Sequence, residues 1–294
     1  MISGRSLAAA FDRLYSEKNQ KTLEHWIIAI SVLGFLVHLG EIFLARNLAN
    51  PPAMIATAGK NYLSAIYTPF SFILFYEVLI LISAIPKSTT RSMATQYEIV
   101  SLIFIRGFFK DIASIDLENL QAPVKELTPA FIDVSSGLAM FLLVTIFRSA
   151  SRKRDSAVFH ALPQELPKFI ERKKIVALTL TLIFLGLAAS SLWDYEEEVF
   201  HAGPGIGESR AVFYSDVFTM MIFTDVLILL LSLMVSDRYE SVFRNAAFVV
   251  SAILIRFSLT TPHPYGALLG VFGMLFGIGT ILIYDYSNRV MAEP

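Results

Sequence analysis

Residues 70–106 read FSFILFYEVLILISAIPKSTTRSMATQYEIVSLIFIR, and the reading of this stretch decides the fold. Two apolar segments flank a short polar turn; the first carries Glu77 and the second Arg106. A carboxylate or a guanidinium within hydrocarbon is costly and such groups nearly always pair, so these two are expected to face one another across a helical hairpin. Measured from the turn near Thr90, they lie within about 5 Å of the same depth at 1.5 Å rise per residue. The pattern returns at 218–256 as FTMMIFTDVLILLLSLMVSDRYESVFRNAAFVVSAILIR, with Asp225 in the place of Glu77 and Arg256 in the place of Arg106. Phe70, Phe75 and the run Val78, Leu79, Ile80, Leu81 align with identical residues from Phe218 to Leu229, and Val100, Ser101 and Ile105 with Val250, Ser251 and Ile255. Pro129, Thr145 and Ile146 recur as Pro264, Thr280 and Ile281.

Composition agrees with a membrane protein. Of 294 residues 55% are apolar and only 17% charged, and the mean hydropathy is +0.59; a soluble surface needs more charge than this. The net charge of -1 leaves no basic field for nucleic acid, which is not expected as a partner. The absence of cysteine removes disulfides, thiolate metal sites and thiol catalysis. Residues 1–24 carry charges of both signs and lack the apolar core of a signal peptide, so the first apolar segment is expected to be retained.

Apolar runs that approach the ~30 Å hydrocarbon core occur at 26–44, 63–85, 97–112, 130–147, 175–193, 212–235, 246–260 and 265–284. Before them, Leu7, Phe11 and Leu14 share one face of an amphipathic stretch suited to the membrane surface. Basic residues gather on one side of this scheme: Arg5, Arg13, Lys18 and Lys21, then Lys87 and Arg91, then the cluster from Arg148 to Lys174, then Arg238, Arg244 and Arg289. The alternate loops are acidic, with Asp116, Glu118, Glu126 and the run from Asp194 to Glu198. By the positive-inside rule both termini are cytoplasmic, and an even number of spans keeps the two sets apart. The expected fold is therefore an all-α integral membrane protein of eight transmembrane helices, arranged as two tandem parallel four-helix repeats related by an axis along the membrane normal. Residues 1–22 form a cytoplasmic amphipathic segment, 23–148 the first repeat, 149–174 a basic cytoplasmic linker and 175–294 the second repeat.

Tyr76 and Glu77, then Arg106, Asp111, and Pro129 followed by Asp133, form a sparse pattern of their own. In these residues the stretch 23–154 resembles the bacterial phosphate-starvation-inducible PsiE family of four-span membrane proteins. Between Pro129 and Asp133 there is one residue more than in the family's Pro-x-x-Asp-like start to the fourth span. The second half keeps Asp225 and Arg256 but has Thr261 and Leu268 where the first has Asp111 and Asp133. The resemblance implies a tandem fusion of two such units in a bacterial inner membrane and a link to phosphate-limited expression; it implies no particular biochemical activity.

Other chemistry is thin. His38 and Glu41, one turn apart, could offer two metal ligands with Glu77 as a third, but a hydrogen-bonded core pair is the preferred reading, and no metal is expected. His25 and His38 lack axial partners on a facing helix, which disfavours haem, and no cofactor is expected. His160, His201 and His263 are expected to be solvated in loops. The stretch GPGIG at 203–207 lacks a following phosphate-binding lysine and reads as a turn.

Gly266, Gly270, Gly273 and Gly277 share one face of the last span, which lets another helix backbone approach closely; the first repeat shows no equivalent stripe. That face is expected to meet the other repeat, a second protomer in a homo-oligomer, or another subunit of a membrane complex. The basic set Arg148, Arg152, Lys153, Arg154, Arg172, Lys173 and Lys174 is suited to anionic lipid head groups. With no catalytic constellation, an enzyme is not expected. The preferred function is a non-catalytic structural or accessory subunit whose ion pairs act as internal fasteners; the alternative is a small-ion or proton channel using the same pairs, with Asp111 and Asp133 at its outer mouth.

Overall fold

The computed structural model describes residues 4–48, 62–113, 124–155, 166–201, 206–233 and 239–290, and among these it contains helices and no strands. A short amphipathic helix α1 (Gly4–Leu14) leads into α2 (Glu17–Asn47), whose first turn is capped by the Ser16 side chain accepting from the Asn19 amide. A 3-10 turn at Tyr62–Ile66 runs into α3 (Tyr67–Ala84). There follow α4 (Thr89–Ala113), α5 (Val124–Asp155), α6 (Leu166–His201), α7 (Ile206–Leu233), α8 (Tyr239–Thr260) and α9 (Tyr265–Val290). Within the described residues, each apolar run of the sequence falls mainly on one of the helices from α2 to α9.

Seven segments of helix among the described residues are long and apolar enough to cross a membrane: α2, Tyr62–Ala84, Leu127–Ser151 of α5, Pro167–Ser190 of α6, Asp216–Leu233 of α7, and the whole of α8 and α9. The long helix α4 is the exception, because Arg91, Glu98, Arg106, Lys110 and Asp111 dilute its apolar character. It tolerates them because of where it sits. It packs on α3, α5 and α8, buries Met93, Tyr97, Val100 and Phe104, and pairs Glu98 with Arg148 of α5 and Arg106 with Glu77 of α3. Elsewhere the outward faces are apolar: Trp26, Leu33, Phe131, Leu138, Phe223 and Leu268 are all more than half exposed. On a soluble surface a belt of this kind is a liability; in a bilayer it is the lipid contact. All-helical among its described residues, the chain is a membrane protein with several apolar spans.

Two apolar cores hold the helices together. In the first, α4 and α5 meet α8 and α9 through Met93, Tyr97, Val100, Phe104, Met140, Phe147, Phe248, Ile255, Met274 and Ile281. In the second, α3 meets α6 and α7 through Val78, Leu81, Ile82, Ile85, Leu180, Phe184 and Met221. Phe11 of α1 belongs to this second core and is 5% exposed. The N-terminal helix therefore docks on its own chain, where the sequence alone suggests a surface helix. Tyr15 and Thr181 share a hydrogen bond of 2.8 Å, and Lys174 donates to Asp12 at 2.6 Å. One prediction arises here. Deleting a buried Phe side chain costs about 3–5 kcal/mol when its site cannot collapse, and about 1.4 kcal/mol already corresponds to tenfold in an opening equilibrium. Phe11→Ala is expected to speed trypsin cleavage after Arg13 at least tenfold without unfolding the rest, as read by limited proteolysis and mass spectrometry; wild-type cleavage rates would contradict the docking.

The acidic run from Asp194 to Glu198 lies on the last turns of α6 and not in a loop, since that helix continues to His201. His160 and the glycines at 203 and 205 fall outside the described residues.

Candidate functional site

Both acid–arginine pairs form. The guanidinium of Arg106 meets the Glu77 carboxylate between α4 and α3, and Arg106 Nε also donates to the Leu102 carbonyl at 3.2 Å. Arg256 Nη1 lies 2.5 Å from Asp225 Oδ2 between α8 and α7, and its Nη2 donates to Gln96 Oε1 at 3.3 Å. In each case a hairpin places the two side chains at matched depth. The second pair is also tied to the first half of the chain, because Gln96 lies on α4. Side-chain exposure is 11% and 8% for Arg106 and Glu77, and 4% and 13% for Arg256 and Asp225. Charges this enclosed demand each other's presence: removal of one partner strands the other.

A small cavity of about 40 Å³ reaches Asp225, with Thr89, Ser92, Gln96, Lys173, Ser232 and Asn245 in its lining. Most of the lining is apolar, from Ile85, Met93, Ile228, Leu229, Phe248 and Val249, and the volume is enough for a few waters. Lys173, which the sequence assigns to lipid head groups, is only 4% exposed and donates to the Lys87 carbonyl at 3.2 Å. Lys174 is held by Asp12 and Arg148 by Glu98, so that three members of the basic set are engaged inside the chain. Lys168 and Arg172 of the same stretch are exposed. No side chain is described for Arg152, Lys153 or Arg154.

The glycine face of α9 turns inward. A Cβ at Gly273 would lie 2.9 Å from Ile255 Cγ2, and one at Gly266 within 2.6 Å of the Thr261 and Ser258 carbonyls, all on or beside α8. At Gly270 the obstacle is Met140 of α5, at 2.3 Å, and at Gly277 it is the Tyr97 hydroxyl of α4, at 1.7 Å. That hydroxyl shares a 2.5 Å hydrogen bond with Ser251, whose own hydroxyl donates to the Gly273 carbonyl. The stripe is thus consumed by packing within the chain, on its own hairpin and on the first half. The first half does hold one counterpart: Gly137 of α5 sits against Ile105 and the Ser101 carbonyl of α4 as Gly273 sits against Ile255. Periodicity along one helix misses it, because it is a single glycine and becomes recognisable only from its partner.

His38 accepts or donates a 2.6 Å hydrogen bond to Thr68 of α3. Neither it nor Glu41 belongs to a cluster of metal-ligating side chains among the described residues.

Such a cluster exists elsewhere. Ligand atoms of Asp111 at the end of α4, Asp133 in the first turns of α5 and His263 in the α8–α9 turn lie within 4.8 Å of one another. His263 Nδ1 is 3.3 Å from Asp133 Oδ1. Asp133 is 4% exposed, and its Oδ2 lies where a Cβ on Gly107 would have to go, 1.8 Å away. Only a glycine at 107 allows that carboxylate to lie so close to α4. The sequence reading leaves His263 solvated in a loop; here its side chain is 36% exposed and turned onto an acid of the other half. No spacing within the chain points to this contact, since 130 residues separate the two positions.

Comparison with protein-family models, curated proteins and solved structures gives no match.

Proposed function

We propose that the chain is a non-catalytic accessory subunit of a bacterial inner-membrane assembly. In this reading it has eight spans in two tandem PsiE-like units of parallel orientation, both termini are cytoplasmic, and the two acid–arginine pairs are internal fasteners. The order of helix contacts favours the duplication: α2 on α3, α3 on α4 and α4 on α5 are echoed by α6 on α7, α7 on α8 and α8 on α9, while α4 meets α8 and α5 meets α9 across the seam. One observation carries the fastening role. The seam between the halves is filled by Tyr97, Met140, Phe147, Phe248, Ile255 and Met274, each fully buried, and close-packed side chains leave no file of water for an ion to follow.

Because the glycine face of α9 is used internally, an oligomer or complex formed through this helix would use its opposite face, where Leu268, Phe272, Leu275 and Leu282 are exposed. Purification in mild detergent tests this. The protein is expected to run as an oligomer or with a partner, and Phe272→Lys to shift it to the single chain; a wild-type protein that runs alone would count against an accessory role.

The cavity at Asp225, with Lys173, Gln96 and Asn245 in its lining, favours a second reading, conduction of a proton or small ion. Liposomes holding purified protein decide between the two. Fastening predicts no flux under a pH or voltage gradient, whereas flux that disappears in Arg256→Leu while the protein remains folded would establish the channel.

A further inference from the structure

Outside the two ion pairs, one place among the described residues brings together side chains suited to a metal ligand set. Asp111, Asp133 and His263 come from three separate elements, two in the first half and one in the second. We propose that they form a binding site for a divalent first-row transition-metal ion of the Zn²⁺ class, which ties the α8–α9 turn to α4 and α5.

Three features point to a cation. First, the donor set is two carboxylates and an imidazole. The nitrogen ligand suits zinc and its neighbours, and three protein ligands are too few for calcium, which takes six to eight oxygens. Second, the geometry is close to what such an ion needs. Bonds of about 2.0–2.2 Å in a tetrahedral set place ligand atoms roughly 3.3–3.6 Å apart. Asp133 Oδ1 and His263 Nδ1 are 3.3 Å apart, and Asp111 has to close from within 4.8 Å, a rotamer adjustment at the end of a helix. Third, Asp133 Oδ1 accepts no hydrogen bond although its residue is 4% exposed. A buried carboxylate oxygen in that state needs a cation or a donor. The available ring nitrogen of His263 is in reach, and an ion between them would satisfy both.

Gly107 is the supporting device. Its missing Cβ leaves the space into which the Asp133 carboxylate fits, so the acid is held at the mouth of the cluster and not free to turn away. Lys110, one residue before Asp111, is exposed and its charge lies near the two acids; metal binding has to prevail over that repulsion, which makes the affinity sensitive to Lys110→Glu in the favourable direction. The site shares no residue with the two ion pairs, and its metal titration reads neither fastening nor flux.

Tag-free protein in detergent, stripped with chelator, is titrated calorimetrically with ZnCl2, MnCl2 and MgCl2. One Zn²⁺ per chain is expected, with Mg²⁺ at least tenfold weaker. Loss of an outer-shell partner alone typically weakens metal binding by about 10- to 100-fold, so His263→Ala and Asp111→Asn, which remove ligands, are expected to weaken Zn²⁺ by at least that much. A second measurement needs no variant: Zn²⁺ is expected to protect His263 from diethylpyrocarbonate, as read by peptide mass, while Mg²⁺ does not. No saturable Zn²⁺ heat, wild-type affinity in His263→Ala, or equal labelling of His263 with and without Zn²⁺ would each overturn the site and leave a plain histidine–aspartate contact.

Discussion

Arg256→Leu is expected to destabilise the folded protein by roughly 3–5 kcal/mol, the usual cost of leaving one member of a buried pair without its partner. The side chain of Arg256 is 4% exposed, and it engages two groups, Asp225 and Gln96. Its removal leaves Asp225 enclosed between α7 and α8, with Lys173 across the cavity that both line. The double change Asp225→Leu with Arg256→Leu is expected to recover most of the loss, because exchanging a buried pair for apolar groups of similar volume is often neutral or stabilising. Unfolding in mixed detergent, followed for wild type, both single variants and the double variant, measures the coupling. Single variants that lose nothing, or a double variant as unstable as the sum of the singles, would remove the fastening role from this pair.

Gly277→Val has the second large effect. A Cβ there would stand 1.7 Å from the Tyr97 hydroxyl, 2.8 Å from its Cζ and 3.1 Å from Ser251 Oγ. Tyr97 is fully buried among Phe147, Phe248 and Ile278 and has nowhere to move. Overpacking of this kind costs about 1–3 kcal/mol, and more when the neighbour cannot give. Tyr97→Phe alone is expected to cost only about 1 kcal/mol, one hydrogen bond, since Ser251 keeps its bond to the Gly273 carbonyl. Combined with Gly277→Val it should relieve part of the clash, so the two changes together should cost less than their sum. Gly279→Val is the control. Nothing lies within 4 Å of a Cβ at that position, and replacing a helical glycine there should be neutral or slightly stabilising. Equal losses at 277 and 279 would show that helix propensity, and not contact with Tyr97, governs the stripe.

Arg256 and Gly277 also differ in how far the chain itself specifies their partners. The acid–arginine contacts of Glu77 with Arg106 and of Asp225 with Arg256 can be read from the chain because each pair sits on one hairpin. A short turn fixes the depth of both arms, and the cost of a lone charge in hydrocarbon supplies the reason to pair. The glycine stripe is legible as a face but not as an address. Periodicity states that four small residues share one side of α9; it does not state that Tyr97 of α4 and Met140 of α5 fill the space they leave. Lys173 shows the opposite failure. Its neighbours in sequence are basic and suggest a wetted surface, yet the helix carrying it packs so that this one amine turns inward to the Lys87 carbonyl.

The sequence by itself determined the helical segments, their apolar character and the pairing of charges within each hairpin, because these depend on residues a few turns apart along one chain. Tertiary structure alone decided that α1 docks through Phe11, that the glycines of α9 serve the interior, and that His263 joins Asp111 and Asp133. The contacts of Phe11 with the second core, of Gly270 with Met140, of Gly277 with Tyr97 and of His263 with the two acids join residues more than 60 positions apart. Their existence depends on how the faces of neighbouring helices interlock, and no spacing along a single helix encodes which neighbour arrives.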